Sequence, residues 1–182
     1  MSRVKSLEIR GQAERHSDAM ALVPKAGDAA MVVRERLRSI AIRCPDGCGE
    51  VISVNLDPRS GPAWKMYQQD GALTIYPSVW KESGCRAHFI VWRNRLLWCD
   101  TYDSPHWKDD NVKQRVQRQL PASGTAHAHF EELAAKLGLI PWEVLWACHS
   151  LVSEKIAVAS EKATRFGLAS PTKTPQRLDR MS

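Results

Sequence analysis

Two short groups of soft donors are the first feature of this chain that could do chemistry. Cys44-x3-Cys48 and Cys85-x2-His88 are ligand pairs set far apart in the sequence. Tetrahedral zinc takes thiolate and imidazole ligands, and tight turns of this spacing aim both side chains of a pair at one ion. Gly47 and Gly49 flank Cys48 and permit the backbone that such a knuckle needs. Zinc held by Cys44, Cys48, Cys85 and His88 is the expectation, with Cys99 as the alternative fourth ligand. Four protein ligands would close the site and make it structural, whereas three would leave a position for water. The plainer reading is a set of buried thiols and one ordinary strand histidine. Cys148 lies among Trp and Leu residues and reads as core. Five cysteines, an odd number, behind a charged and polar N-terminus argue against a disulfide framework and for a cytoplasmic setting.

The elements that must position these residues are short strands between Met31 and about Tyr102. Asp70-Gly71 between Trp64-Lys65-Met66-Tyr67 and Leu73-Thr74-Ile75-Tyr76 is a hairpin signal. A second hairpin runs from His88 to Trp92, turns at Arg93-Asn94 and returns to Cys99. That turn sets Trp92 opposite Arg95 and His88 opposite Cys99. Beyond Tyr102 the period changes. A charged helix over 110–120 stops at Pro121, a second over 126–137 ends at Gly138, and a third begins at Pro141 with Trp142, Leu145, Trp146 and His149 on one face. Helical pattern continues to about Phe166. The expected fold class is α+β: a polar N-terminal segment (1–28), a small zinc-stabilised antiparallel β domain of hairpins (29–103), a helical region (104–167) and a disordered tail (168–182).

Composition narrows the function classes. The 182 residues are 43 % hydrophobic and 25 % charged, as in ordinary globular proteins, and no apolar run is long enough to cross a bilayer. Lys and Arg number 26 against 20 acids, but the excess is spread along the chain and reads as a solvated surface. Residues 126–152 have the outline of a helix-turn-helix. Its second helix offers Trp142, Glu143, Val144, Leu145 and Trp146, where a base reader would present polar and basic side chains. Nucleic acid is therefore not the expected partner.

Cys44-Pro45-Asp46-Gly47-Cys48-Gly49-Glu50, Trp64, Leu73-Thr74-Ile75-Tyr76-Pro77-Ser78-Val79, Cys85-x2-His88-Phe89 and Trp98, in this order and spacing, resemble the bacterial domain of unknown function 6527 over roughly 22–100. Members of that family lie near genes for E1-like, E2-like and ubiquitin-like proteins in operons linked to phage defence. The resemblance implies a role in a bacterial ubiquitin-like conjugation pathway, as the peptidase that processes or removes the ubiquitin-like protein. One common form of the motif reads Cys-Pro-Cys-Gly-Cys; here Asp46 takes the middle place and Cys99 is an added thiol.

A peptidase needs a nucleophile, a base and oxyanion donors. Ser78, after Pro77 at the end of a strand, is the candidate nucleophile, and His88 the candidate base. Asp100 or Asp103 could orient the imidazole. The competing reading of Ser78 is a turn residue bonded to backbone. His88 cannot serve zinc and Ser78 at once, since a metal-bound imidazole has lost the lone pair that a base requires. A zinc hydrolase using Glu50 or Glu82 lacks His-Glu-x-x-His spacing. Trp64, Trp80, Trp92 and Trp98 are either core or the walls of a groove for an extended tail. The two functions in play are a serine-type peptidase and a non-catalytic zinc-stabilised adaptor for E1-like, E2-like or ubiquitin-like partners.

Overall fold

The computed structural model describes residues 3–100, 109–124 and 126–170. The chain divides into two compact units, 1–105 and 106–182. Among the described residues the class is α+β, with two four-stranded sheets in the first unit and a three-stranded sheet with helices in the second.

In the first unit, β1 (Glu8–Ala13), β2 (Asp28–Arg34), β3 (Arg36–Arg43) and β4 (Val51–Asn55) form one sheet in that order, with β1 parallel to β2 and the other pairs antiparallel. The short helix α1 (His16–Ala21) joins β1 to β2. A second sheet, antiparallel throughout, runs β5 (Lys65–Gln69), β6 (Ala72–Trp80), β7 (His88–Trp92), β8 (Arg95–Trp98). Side chains alternate across a strand, so Ile40 and Ile42 of β3 face the second sheet while Ala41 faces α1. Ile40, Ile42 and Val54 meet Leu73, Ile75, Val79, Phe89, Val91 and Leu96 in one core. Small Ala30 and Ala41 let α1 approach through Ala19, with Val23 beside it.

Residues 1–28 are thus more than a polar segment, because they supply an edge strand and a helix. β1 was hidden by its polar, exposed side chains and by the irregular register at Gly11. Both expected hairpin turns form. Asp70 and Gly71 have φ of 50° and 75°, the twist that suits a two-residue turn. Arg93 and Asn94 achieve the same with φ of 48° and 60°. The Asn94 side chain accepts from the Leu73 N–H at 2.8 Å, and the Arg93 N–H donates to the Thr74 hydroxyl at 3.0 Å. Trp92 pairs with Arg95 as expected.

In the second unit, α2 (Asp110–Gln119) is capped by Asp109, which accepts from the Asn111 and Val112 N–H groups. The strand β9 (Ala128–His129) leads into α3 (Phe130–Leu137), where His129 and Glu132 form a reciprocal cap. Gly138, left-handed at φ 61°, ends α3. Pro141 opens α4 (Pro141–Ser153). That helix stops well before Phe166: Lys155 is left-handed, and β10 (Ala157–Ala159) and β11 (Arg165–Leu168) form a hairpin that β9 completes. The expected helical run to Phe166 is therefore corrected. Phe166 is a buried strand residue whose neighbour Gly167 lies against the His127 ring, where a side chain would collide. Helix, strand, two helices across a short turn and a hairpin is the order of a winged helix. The less buried positions of α4 are Trp142, Leu145, His149, Ser150, Val152 and Ser153, with no Lys or Arg among them, which does not suit reading of base edges. The tail beyond 170 and Asp103 lie outside the described residues.

Candidate active site and metal centre

A break in the β6–β7 ladder creates the first site. Ile75 pairs with Val91 and Val79 with Phe89, so Tyr76, Pro77 and Ser78 stand opposite Ile90 alone. Pro77 has no N–H to give to the ladder, and such bulges re-aim side chains. Val79 and Phe89 point into the core, 1 % and 0 % exposed. Alternation then puts Ser78, Trp80 and His88 together on the other face. There Ser78 Oγ lies 3.0 Å from His88 Nε2. Trp80 pairs with His88 across the ladder, and their ring centroids are 6.1 Å apart. Trp80 is 59 % exposed, an open apolar wall beside the imidazole. Behind the bulge, the Trp64 indole N–H donates to the Ser78 carbonyl at 3.1 Å.

The candidate orienting carboxylates do not join this pair among the described residues. Asp100 accepts from Arg3 at 2.8 Å. Arg3 also reaches Asp46 at 3.1 Å and lies over the Trp98 ring at 4.3 Å. The guanidinium thereby ties the turn at Asp46 to the end of β8. Glu50 accepts from Lys81, and Glu82 is exposed.

The second site gathers three thiols. β3 ends at Arg43, and the segment from Cys44 to Glu50 folds back as a knuckle. The Cys44 N–H donates to the Glu50 carbonyl at 2.8 Å, and the Gly47 N–H to the Cys44 carbonyl at 3.1 Å. Gly47 and Gly49 have φ of 82° and 84°, as the expected turn requires. Arg43 secures the knuckle by donating to the Gly49 and Val23 carbonyls. Cys85 arrives from the loop between β6 and β7, which is closed by the Lys81 N–H on the Ala87 carbonyl at 2.9 Å. The sulfurs of Cys44, Cys48 and Cys85 lie within 4.8 Å of one another, with Cys44 and Cys85 at 3.6 Å. Zinc–sulfur bonds near 2.3 Å in a tetrahedron put sulfurs about 3.8 Å apart. The three donors therefore fit a soft tetrahedral ion.

Burial pushes the Cys44 thiol up to about 12, opposed by the Asp46 N–H at its sulfur. The Glu50 N–H at the Cys48 sulfur lowers that thiol. The Lys81 ammonium is raised, first by its hydrogen bond to Glu50, with Cys85 and Cys48 adding attraction. His88 and Cys99 are not in the metal-ligating group found among the described residues. His88 turns its Nε2 to Ser78 instead. Cys99 does stand opposite His88 in the register, its N–H donating to the His88 carbonyl at 3.0 Å, and burial raises its thiol.

Residues 15–99 match the family model described as bacterial ubiquitination-like system serine protease (BubE). The match covers the knuckle, the bulge and His88, and it supports an association of this chain with bacterial ubiquitination-like systems. It does not carry the name domain of unknown function 6527. No curated protein and no solved structure matches the chain. No helix among the described residues is long and apolar enough to cross a membrane.

Sequence reasoning passed over two participants. Arg3 gave no signal, being one basic residue in a polar stretch. For Trp64 the sequence suggests core or groove wall; its ring packs on the core, and its indole N–H donates to the Ser78 carbonyl.

Proposed function

We propose that this chain is a serine-type peptidase of a bacterial ubiquitination-like system, acting on the ubiquitin-like protein to process or remove it. The hydrogen-bond contact of Ser78 Oγ with His88 Nε2 at 3.0 Å carries this reading. It is the geometry a nucleophile and its base require, and it lies inside the segment matched by a serine protease family.

In the proposed mechanism, His88 Nε2 accepts the Ser78 proton as Oγ bonds to the scissile carbonyl carbon. The tetrahedral intermediate then collapses: the C–N bond breaks, and the imidazolium gives its proton to the leaving amine. Water, deprotonated by the same nitrogen, next cleaves the acyl ester and restores Ser78. Trp80 offers an apolar surface beside the reacting centre for the approaching chain.

Cys44, Cys48 and Cys85 would hold zinc, and the ion would supply structural cross-linking. It would fasten the β3–β4 knuckle to the loop that starts β7, and so hold His88 at a fixed height on the sheet.

Incubation with a ubiquitin-like precursor encoded beside this protein, followed by intact-mass measurement, tests the proposal. Shortening of the precursor by the wild type and none by Ser78→Ala, with unchanged circular dichroism, is the expected result. A non-catalytic adaptor predicts an unchanged precursor and full function in Ser78→Ala.

A further inference from the structure

We infer that Trp64 is a positioning residue for the nucleophile, its indole N–H holding the Ser78 carbonyl and so setting the backbone that carries the hydroxyl. The inference rests on the reading of Ser78 and His88 as a catalytic pair.

Between the Ile75–Val91 and Val79–Phe89 pairs the ladder no longer fixes β6 against β7. A residue released in this way can rotate its peptide unless another group holds it, and backbone carbonyls away from bulk water demand a donor. The Trp64 indole supplies that donor at 3.1 Å. Holding the Ser78 carbonyl fixes one end of the residue relative to the sheet, and with it the orientation in which Cα presents Cβ and Oγ to His88 Nε2.

The indole can act as a fixed post because its own base is stapled. The Trp64 N–H donates to the Asn55 carbonyl at 2.9 Å, closing the loop that joins the two sheets. Inside this loop the Asn55 amide donates to the Pro62 carbonyl at 3.0 Å and the Asp57 carbonyl at 3.2 Å. The Asn55 side-chain oxygen accepts the Asp57 N–H at 3.0 Å. Asp57 is 3 % exposed and takes Arg59 at 2.9 Å and Arg38 at 2.8 Å. The ring of Trp64 packs against the core that also holds Val79 and Phe89. A rigid loop thus reaches from the end of the first sheet to the bulge of the second. There the Trp64 indole meets the carbonyl of Ser78, the residue that bears the proposed nucleophile.

The experiment uses the full-length chain and a fluorophosphonate that labels activated serines, measured by intact mass over a range of probe concentrations. Two variants are compared with wild type: Trp64→Phe, and replacement of Trp64 by benzothienylalanine, which keeps the indole shape but has no N–H. The maximal labelling rate is expected to fall about 10- to 100-fold in both, as for a nucleophile displaced by a fraction of its working distance. The half-saturating probe concentration should stay within about twofold, because binding surfaces are untouched. The benzothienylalanine protein should keep the wild-type melting temperature, which separates positioning from folding even if Trp64→Phe folds poorly. Labelling of that protein at the wild-type maximal rate would overturn the inference and leave the catalytic pair standing. Wild type that labels no faster than Ser78→Ala would remove the catalytic pair, and this inference with it.

Discussion

His88 is the residue on which the two chemistries of this protein could have collided. Its spacing from Cys85 suits a ligand, yet its ring nitrogen lies on Ser78. If His88 serves Ser78 as the proposed base and not the ion, the two sites should be separable by mutation. Cys48→Ser should lower zinc content, measured by a metallochromic dye, while an intact Ser78–His88 contact still supports some labelling. His88→Gln should leave zinc content at wild-type level and abolish labelling; loss of the ion in His88→Gln would sink the assignment. Spacing alone could not decide this, since it reports how near two residues are along the chain and not where strand alternation points them. For the three cysteines spacing sufficed, because short knuckle turns have few ways to aim their side chains. Asp57 belongs to this scale as well. Hydrogen bonds from Arg59, aided by Arg38, hold its carboxyl well below the ordinary range. A carboxylate depressed in the folded state stabilises the fold above its unfolded value of about 4, and this contribution is lost as pH falls toward the folded value. Asp57→Asn should therefore destabilise the protein at pH 7 and reduce the dependence of melting temperature on pH below about 4.

At the scale of elements, the strand–strand pairing of β6 and β7 does two things at once. Phe89 and Val79 bury the inner face between the sheets, while the outer face displays Ser78 and His88. Phe89, fully buried, is the larger contributor, and Phe89→Ala should cost about 3–5 kcal/mol in urea unfolding, as large-to-small changes in packed cores do. A cost below about 1 kcal/mol would mean that the sheets do not pack as described. The hairpins were legible because turn residues and apolar alternation agree on them locally. The bulge was not, since nothing in Tyr76-Pro77-Ser78 announces that three residues will face one. Nor was β1, an edge strand whose exposed side chains carry no hydrophobic period. The β10–β11 hairpin was missed for a related reason: its few residues continue the apolar spacing of α4, and Lys155 in the left-handed region is not a signal that Gly would have been.

At the scale of the whole molecule, the knuckle and the strands that carry Ser78 and His88 share the first unit, with the core residues that surround them. A soft ion at the three sulfurs would join segments that lie far apart in the chain. Chelation should lower the melting temperature of the metal-loaded protein and slow Ser78 labelling together, with zinc restoring both. Because Cys44 is pushed up to about 12, an ion must displace its proton, and apparent zinc affinity should weaken as pH is lowered. The second unit, outside the matched segment, has a winged-helix order that the sequence showed only in its helix-turn-helix part. Its strands are too short to carry a period of their own.

Trp80 has one further consequence. Among the described tryptophans it is the most exposed, and it sits across from His88. A collisional quencher such as acrylamide should reach its emission before that of the others. A chain lying across Ser78 and His88, as the proposed function requires, would shield it, so Trp80 emission would gauge occupancy.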